Sequence, residues 1–339
     1  MVTKRLDAIN CYDNAIDGAS QILRAEGIVA IPTETVYGLA ASAYSDTAIK
    51  NVFDAKGRPQ DNPLIVHISD MEMLSCVATD VPESAYECAK KFWPGPFTMV
   101  LKRGKDIAST VSAGLDTVAV RMPSDKTARD IIRKSGLPLA APSANASGRP
   151  SPTTAKHVLD DLDGKIDAVV IDKECAVGVE STVISLVGEA PRLLRPGAVT
   201  AEQLREILPD IVIDSAVLSE IKSGQKVASP GMKYKHYAPT TDVYLVEGDS
   251  KDFAKFVNGK TNAVAVCFSE EQEDIKIKKI IYGAASDESS LAKNIFAVLR
   301  DVDSLDVATV YVHAPSKQGV GLAVYNRLIR AAAFRVIEL

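Results

Sequence analysis

Paired cysteines are absent from this sequence. Its five cysteines are scattered along 339 residues, and none belongs to a Cys-x-x-Cys pair. This distribution argues against a disulfide framework and a zinc site, and it predicts reduced, buried cysteines. The sequence also lacks any run of about 18 apolar residues, and its first residues do not resemble a secretory leader. We therefore expect a cytoplasmic protein with no membrane segment.

An excess of positive charge is also absent, since the formal net charge is −5. The surface as a whole does not attract nucleic acid through charge, so any anion-binding site must be local. The composition, 46% hydrophobic and 24% charged, is that of an ordinary globular protein. The length favours two domains, each large enough to bury its own core.

The glycine loop that wraps phosphates in many ATP-binding proteins is missing too. Gly259-Lys260-Thr261 looks like the end of such a loop, but Ala254 stands where the motif needs its first glycine. Gly319-Val320-Gly321 precedes the last predicted helix and could hold an anion through backbone N–H groups, although a plain tight turn is favoured. A nucleotide would therefore need a different kind of loop.

Hydrophobic periodicity predicts an α/β protein with two domains. Helical and strand patterns alternate through residues 1–208, and closely spaced strands late in this region imply a mixed, twisted sheet. Ser, Gly, Pro and Lys are frequent in residues 209–240, which we interpret as an interdomain linker. Residues 241–339 alternate strands with helices and predict a small doubly wound, Rossmann-like, mostly parallel sheet.

Two polar segments of the first domain follow predicted elements, one a strand and the other a helix. The segment 32–39 is rich in hydroxyl groups, and its spacing fits equally a binding loop, with Glu34 facing a substrate ammonium, and a self-capped loop. Lys56 and Arg58 flank a glycine at a predicted helix end, where a solvated cation pair is the favoured interpretation in isolation. His67 ends the next strand and by itself is more often structural than catalytic.

Three further polar segments accompany strands of the same sheet. They are residues 141–148, 178–182 and 194–197. The first is packed with small and hydroxyl residues that allow close approach of the backbone to a ligand. Each segment alone is an ordinary turn, but several around one sheet suggest a shared pocket.

Seven segments carry motifs that occur together in one enzyme family. They are, in chain order, PTETVYGL, KGRPQDNPLIVHI, FWPGPFTMVL, VAVRMP, APSANASGRPSPT, GVESTVI and RLLRPGAV. Over roughly residues 12–205 the sequence thereby resembles the YrdC-type domain of threonylcarbamoyl-AMP synthases. Residues 229–239 resemble the linker of the family's long form, which carries a second domain.

The resemblance implies a fold, a reaction and its substrates. The fold is an open α/β domain with a mixed sheet and a large cleft, followed by the Rossmann-like domain. The implied enzyme is a nucleotidyltransferase that would make L-threonylcarbamoyladenylate and pyrophosphate from L-threonine, bicarbonate and ATP. The product serves threonylcarbamoyladenosine modification of tRNA, so a downstream tRNA threonylcarbamoyl-transferase machinery is an expected partner.

The resemblance also implies roles for individual residues. The implied catalytic residues are Lys56, Arg58, Ser143 and Asn145. Those implied at ATP are Arg58, Asn62, Thr117, Ser143, Ser151, Arg195 and Tyr234, the last in a lid formed by the linker. Those implied around threonine are Thr35, His67, Arg121, Ala141 and Ser181. We expect Lys56, Arg58 and Arg195 at the phosphates, and a bidentate fork from Arg121 to the threonine carboxylate.

No metal site is expected from the protein alone. Magnesium should enter with ATP, held mainly by phosphate oxygens and water. Two alternative functions remain, an RNA-binding module and a carbamoyl-transfer domain of the hydrogenase-maturation type. The net charge argues against RNA binding as the primary role, although weak RNA binding stays open, and the zinc-finger cysteine pairs that accompany the second alternative are missing. The role of residues 241–339 is open between domain closure and regulation.

Overall fold

A computed structural model describes residues 2–219, 237, 241–305 and 307–339. The predicted lid residue Tyr234 lies outside the described residues, as does the rest of the segment 220–240 except residue 237. The predicted domain limits at residues 208 and 240 therefore stay predictions. In the described part of the chain, no helix has both the length and the apolar character needed to cross a membrane.

The N-terminal domain is built on one mixed sheet. Its strands are β1 (Lys4–Asp7), β2 (Val29–Ile31), β3 (Gly38–Ser42), β4 (Ile65–His67), β5 (Ala78–Thr79), β6 (Phe97–Arg103), β7 (Thr117–Arg121), β8 (Leu139–Ala140), β9 (Ala168–Ile171), β10 (Thr182–Ser185), β11 (Arg192–Arg195) and β12 (Val212–Ile213). Their order is β1-β9-β2-β3-β8-β4-β7-β6-β10-β11-β12, with β5 paired to β6. The sheet contains both parallel pairs, such as β4–β7, and antiparallel pairs, such as β2–β3, which confirms the predicted mixed sheet.

Helices cover this sheet and join its strands. They are α1 (Tyr12–Arg24), α2 (Asp46–Lys56), α3 (Leu74–Val77), α4 (Glu83–Phe92), α5 (Lys126–Ser135), α6 (Ala155–Leu162) and α7 (Ala201–Arg205). In α2, Ser45 caps the first turn and Gly57 ends the helix in the left-handed conformation, with φ of 61°. This helix end positions Lys56 and Arg58.

The C-terminal domain is a doubly wound, all-parallel sheet among the described residues. Its elements are β13 (Asp242–Glu247), α8 (Ser250–Asn258), β14 (Ala263–Phe268), β15 (Lys279–Gly283), α9 (Glu288–Val302), β16 (Thr309–His313), α10 (Gly321–Ala331) and β17 (Val336–Glu338). The strand order is β15-β14-β16-β13-β17. The Rossmann-like prediction is confirmed. The backbone N–H of Gly321 donates to Glu288 Oε2 at 2.8 Å, so this chain's own carboxylate occupies the proposed anion position.

Five strands were not predicted, namely β1, β3, β5, β12 and β17. β3 has the sequence GLAAS, which is fully buried but contains no β-branched or aromatic residue. It is a strand because it pairs with β2 on one side and β8 on the other. Local propensity does not carry that information.

The two domains pack directly against each other. The apolar core of the C-terminal domain includes Val36 and Val179 from the N-terminal domain. Gly178 has φ of +82°, and a Cβ there would stand 2.4 Å from the Lys293 Cα in α9. The segment that begins at Gly178 therefore lies against the backbone of the second domain, where only glycine fits.

Candidate active site

One cleft of the N-terminal domain gathers most of the residues implied by the sequence. Its empty space is about 890 Å³ including the open mouth, a volume suited to small-molecule ligands. The predicted residues that line it are Thr35, Lys56, Arg58, Asn62, His67, Arg121, Ala141, Ser143, Asn145, Ser181 and Arg195. The polar segments after β2, β8 and β11 and before β10 thus form a shared pocket.

Lys56 is buried and holds the loop that follows β8. Its Nζ donates to the backbone oxygens of Ser143 and Asn145 at 2.5 and 2.6 Å, with Asn145 Oδ1 at 3.5 Å. Three acceptors around one nitrogen match the three N–H groups of an ammonium. Burial, and then the neighbouring charge of Arg58, lower the pKa of Lys56 well below its ordinary value. The solvated cation pair is therefore a wrong interpretation for Lys56, which contacts the loop directly.

Arg58 and Asn62 form the adjacent wall of the cleft. Arg58 is half-buried, and its Nη2 lies 3.4 and 3.5 Å from the backbone oxygens of Asn62 and Pro63. Asn62 is 1% exposed, and its Oδ1 has no hydrogen-bond partner among the described residues. A buried amide oxygen without a partner is costly, so a ligand donor at this point would stabilise the site.

Arg121 organises the opposite end of the cleft. Its Nη2 pairs with Glu34 at 2.8 Å, its Nη1 donates to Thr35 Oγ1 at 2.9 Å, and its Nε contacts Gly95 O at 3.4 Å. Burial alone would raise the pKa of Glu34, but the Arg121 charge prevails and the pKa is lowered. In the described structure Glu34 pairs with Arg121. The three contacts use three of the five N–H groups of Arg121, and a bidentate fork to a substrate carboxylate would use the other two.

The segment 32–37 is also self-capped. Thr33 Oγ1 donates to Val36 O at 2.7 Å and accepts from the Val36 N–H at 3.3 Å. The self-capped interpretation is confirmed, while the binding-loop interpretation stays a prediction, to which the position of Thr35 in the cleft lining gives support.

His67 is buried at the end of β4 and is neutral. Its Nδ1 lies 3.2 Å from Ile65 O. Burial, and then the nearby Arg121 charge, lower the pKa of His67 from 6.5 to about 3. A neutral ring adds no charge to this end of the cleft, so its positive charge comes from Arg121.

This depressed pKa predicts an acid-sensitive contribution to stability. The unfolded chain binds a proton at His67 below 6.5 and the folded chain only below about 3, so stability is lost as the pH falls through this window. We expect the difference in unfolding free energy between wild type and His67→Gln to shrink between about pH 7 and about pH 4. Urea unfolding at both pH values measures it, and an unchanged difference would contradict a neutral, buried His67.

The polar lining of the cleft is completed by Arg195 and Ser181, and Ser151 lies behind it. Arg195 Nε donates to Ser181 O at 3.0 Å and Nη2 to Ser181 Oγ at 3.1 Å. Burial lowers the pKa of Arg195 to about 10, which leaves it cationic at neutral pH. Ser151 is not among the lining residues, because its Oγ donates to Glu180 Oε1 at 2.6 Å.

Thr117 is, besides Ser151, a predicted ATP residue that does not line the cleft. It is half-buried at the first position of β7, opposite Lys102 on β6, while Arg121 ends the same strand. Its role at ATP stays a prediction. Conversely, Arg149, Glu180 and Tyr237 line the cleft without having been assigned a site role. Arg149 and Glu180 lie inside two of the family motifs, close to Ser151 and Ser181 respectively, and this position could have identified them.

Comparison with known proteins identifies the family. A family model described as telomere recombination, covering Sua5, YciO and YrdC proteins, matches residues 21–197. A second model, described as the threonylcarbamoyl-AMP synthase C-terminal domain, matches residues 199–333. The chain belongs to the threonylcarbamoyl-AMP synthase family. The two matches together cover both sheets apart from β1 and β17.

Full-length relatives agree with this family. The chain is 42% identical over 329 residues to the threonylcarbamoyl-AMP synthase of Pyrococcus abyssi, covering 95% of each chain. It is 41% identical over 349 residues to that of Bacillus subtilis, covering 100% of each. The crystal structure of P. abyssi Sua5 complexed with L-threonine superposes with a TM-score of 0.90 at 38% identity, covering 100% of both chains. The threonylcarbamoyl-AMP synthase fold therefore extends over both domains.

Proposed function

We propose that this chain makes L-threonylcarbamoyladenylate and pyrophosphate from L-threonine, bicarbonate and ATP in the cleft of the N-terminal domain. The observation that carries the proposal is a single cleft lined by Lys56, Arg58, Arg149 and Arg195 together with the polar cluster around Arg121. Full-length relatives bear the name of this activity, and the P. abyssi relative binds L-threonine. The alternatives, an RNA-binding module or a hydrogenase-maturation domain, lack such support.

The cleft offers different chemistry to the two substrates. Thr35, His67, Arg121 and Ser181 form a polar cluster. Arg121 contacts Thr35 and lies opposite His67 on β4 and Thr98 on β6, and Ser181 Oγ is 2.7 Å from Thr98 Oγ1. We assign threonine to this end. We assign the loop 143–149, with Lys56, Arg58 and Asn62, to the nucleotide. Arg195 contacts Ser181, which belongs to the threonine end.

The reaction requires two anionic groups to approach each other. Threonine carboxylated by bicarbonate places a carbamate oxygen at the α-phosphorus; a new P–O bond forms while the α–β bridging P–O bond breaks, and pyrophosphate leaves. Preorganised cations offset the repulsion and hold the two reacting groups in line. Arg58 and Arg195 supply such charge, while Lys56 keeps the Ser143 loop in place.

Magnesium is proposed to arrive with ATP. Among the described residues no group of three His, Cys, Asp or Glu side chains could hold a metal ion. We propose phosphate oxygens and water as its main ligands, and it would neutralise phosphate charge. The tRNA-modifying transferase machinery, a lid formed by residues 229–239 with Tyr234 at ATP, and weak RNA binding remain predictions.

The test of this proposal is the joint requirement for substrates. Purified protein with ATP, L-threonine and labelled bicarbonate is expected to release pyrophosphate and to form an adenylate that carries the label. Omitting either L-threonine or bicarbonate should abolish release, because no nucleophile then reaches the α-phosphorus. Equal pyrophosphate release without either substrate would show a pyrophosphohydrolase instead.

A further inference from the structure

The last helix of the C-terminal domain carries a fully buried arginine that contacts the N-terminal domain. Arg327 in α10 is 0% exposed. Its Nε pairs with Glu180 Oε2 at 2.9 Å, its Nη1 donates to Pro196 O at 2.6 Å, and its Nη2 donates to Glu180 O at 3.2 Å. Both contacted residues adjoin residues of the proposed active site, Ser181 and Arg195. Arg327 thus reaches the rear of the cleft from the other domain.

Glu180 is an acidic residue in a cleft proposed to hold a polyphosphate. It lines the cleft and is 7% exposed, and its second carboxylate oxygen accepts from Ser151 Oγ. An uncompensated carboxylate there would repel phosphates and attract the nearest free cation. Burial alone would raise the pKa of Glu180, but Arg327 and then Arg195 hold it below its ordinary value, so the group is ionised.

Arg195 is the cation that Glu180 would otherwise capture. The two side chains are close enough for Glu180 to raise the pKa of Arg195 against the effect of burial. In the structure, however, the carboxylate pairs with Arg327, and the Arg195 guanidinium contacts Ser181 instead. The counter-charge from α10 therefore leaves Arg195 oriented on the wall of the cleft.

We propose that Arg327 is a positioning residue for ATP binding, which neutralises Glu180 so that Arg195 can serve the phosphates. It does not line the cleft and acts through Glu180. The C-terminal domain thereby contributes to the nucleotide site by charge as well as by packing. This inference rests on the proposed function.

The test is calorimetric binding of ATP and, separately, of L-threonine to the full-length chain. Arg327→Gln is expected to weaken ATP binding at least about tenfold, the scale of a lost charged contact, and to leave threonine binding within about twofold. A merely structural arginine would distort the Ser181 segment and weaken both ligands. Arg335→Gln is the control, because it removes an exposed ion pair of the same domain, with Asp242; its ATP affinity should match wild type.

The double variant Glu180→Gln/Arg327→Gln separates charge from packing. With no carboxylate left to neutralise, it is expected to recover most of the ATP affinity that Arg327→Gln loses. If it binds ATP as weakly as the single variant, or if the single variant binds ATP like wild type, the inference is wrong. If Arg327→Gln does not fold, the double variant decides alone: ATP affinity within about threefold of wild type supports the inference, and a loss of about tenfold or more overturns it. Wild-type protein that releases no pyrophosphate would instead overturn the proposed function.

Discussion

Replacing Lys56 with methionine is expected to lower kcat/KM for ATP by about 10²–10³-fold, roughly the effect of losing one preorganised polar group from an active site. The ammonium holds the backbone oxygens of Ser143 and Asn145, and this loop lines the cleft. Methionine fills a similar volume but donates no hydrogen bond, so the loop loses its anchor. Steady-state pyrophosphate release measures the effect.

The stability of the Lys56 variant should change much less than its activity. Burial makes the charged lysine costly, as its depressed pKa shows, and methionine removes that cost while leaving two carbonyl groups without their donor. These contributions oppose each other in the free energy of unfolding. Lys50→Met is the matched control, since Lys50 is exposed on the same helix, α2. A large loss of activity in the control would show that the assay reports on the helix rather than on Lys56.

A double-mutant cycle shows whether Lys56 acts through the loop. If its role is to position Ser143, then Lys56→Met/Ser143→Ala should cost little more than Lys56→Met alone, because both changes remove the same contribution. If instead Lys56 contacts the phosphates independently of the loop, the two costs should add. Additive costs would support the direct phosphate role that the family resemblance implies.

The burial of Lys56 could have been recognised from the sequence. The buried residues of α2 are Ala48, Ile49, Val52, Phe53 and Lys56. Lys56 thus continues the apolar stripe at the i+3 and i+4 positions from Phe53 and Val52, the helical spacing of one face. A cation placed on an apolar stripe at a helix end is more informative than its position at the end alone. The position at the helix end, taken alone, favours the solvated interpretation, which is wrong for Lys56.

Element predictions succeeded where local signals agreed. The apolar spacing near residues 83–92 predicts a helix, and α4 is Glu83–Phe92. An acidic first turn, lysines in the last turn and an amphipathic pattern all agree with it. Strand β3 was missed because its small residues favour no strand locally. Its pairing with β2 and β8 creates it, and pairing between distant segments leaves no periodic signal in one sequence.

The contribution of the second domain to the site was beyond the sequence. Arg327 and Glu180 are separated by 147 residues, and nothing around Arg327 distinguishes it from other arginines near a helix end. Only the packing of α10 against the N-terminal domain brings them together. Motif order could recover the residues that line the cleft within residues 12–205, but not the residue that neutralises one of them.

Replacing Arg58 with alanine is the second change expected to have a large effect. Gly57 turns the chain so that Arg58 lines the cleft, half-buried, near the backbone oxygens of Asn62 and Pro63. Its charge also lowers the pKa of the buried Lys56, which shows that two cations are held near each other. A polyphosphate between them would relieve this repulsion. We expect loss of about 2–4 kcal/mol of transition-state stabilisation, roughly 30- to 1,000-fold in kcat/KM.

Folding should be nearly unaffected by Arg58→Ala, because removing one of two neighbouring like charges offsets the loss of two long contacts to carbonyl groups. We expect the melting temperature to stay within about 2 °C of wild type, which corresponds to about 1 kcal/mol or less. Arg133→Ala is the control, since Arg133 is exposed and forms an ion pair with Asp130 away from the cleft lining. Wild-type turnover with a lowered melting temperature would make Arg58 a structural cation at the end of α2, and the phosphates would then need Arg149 and Arg195 instead.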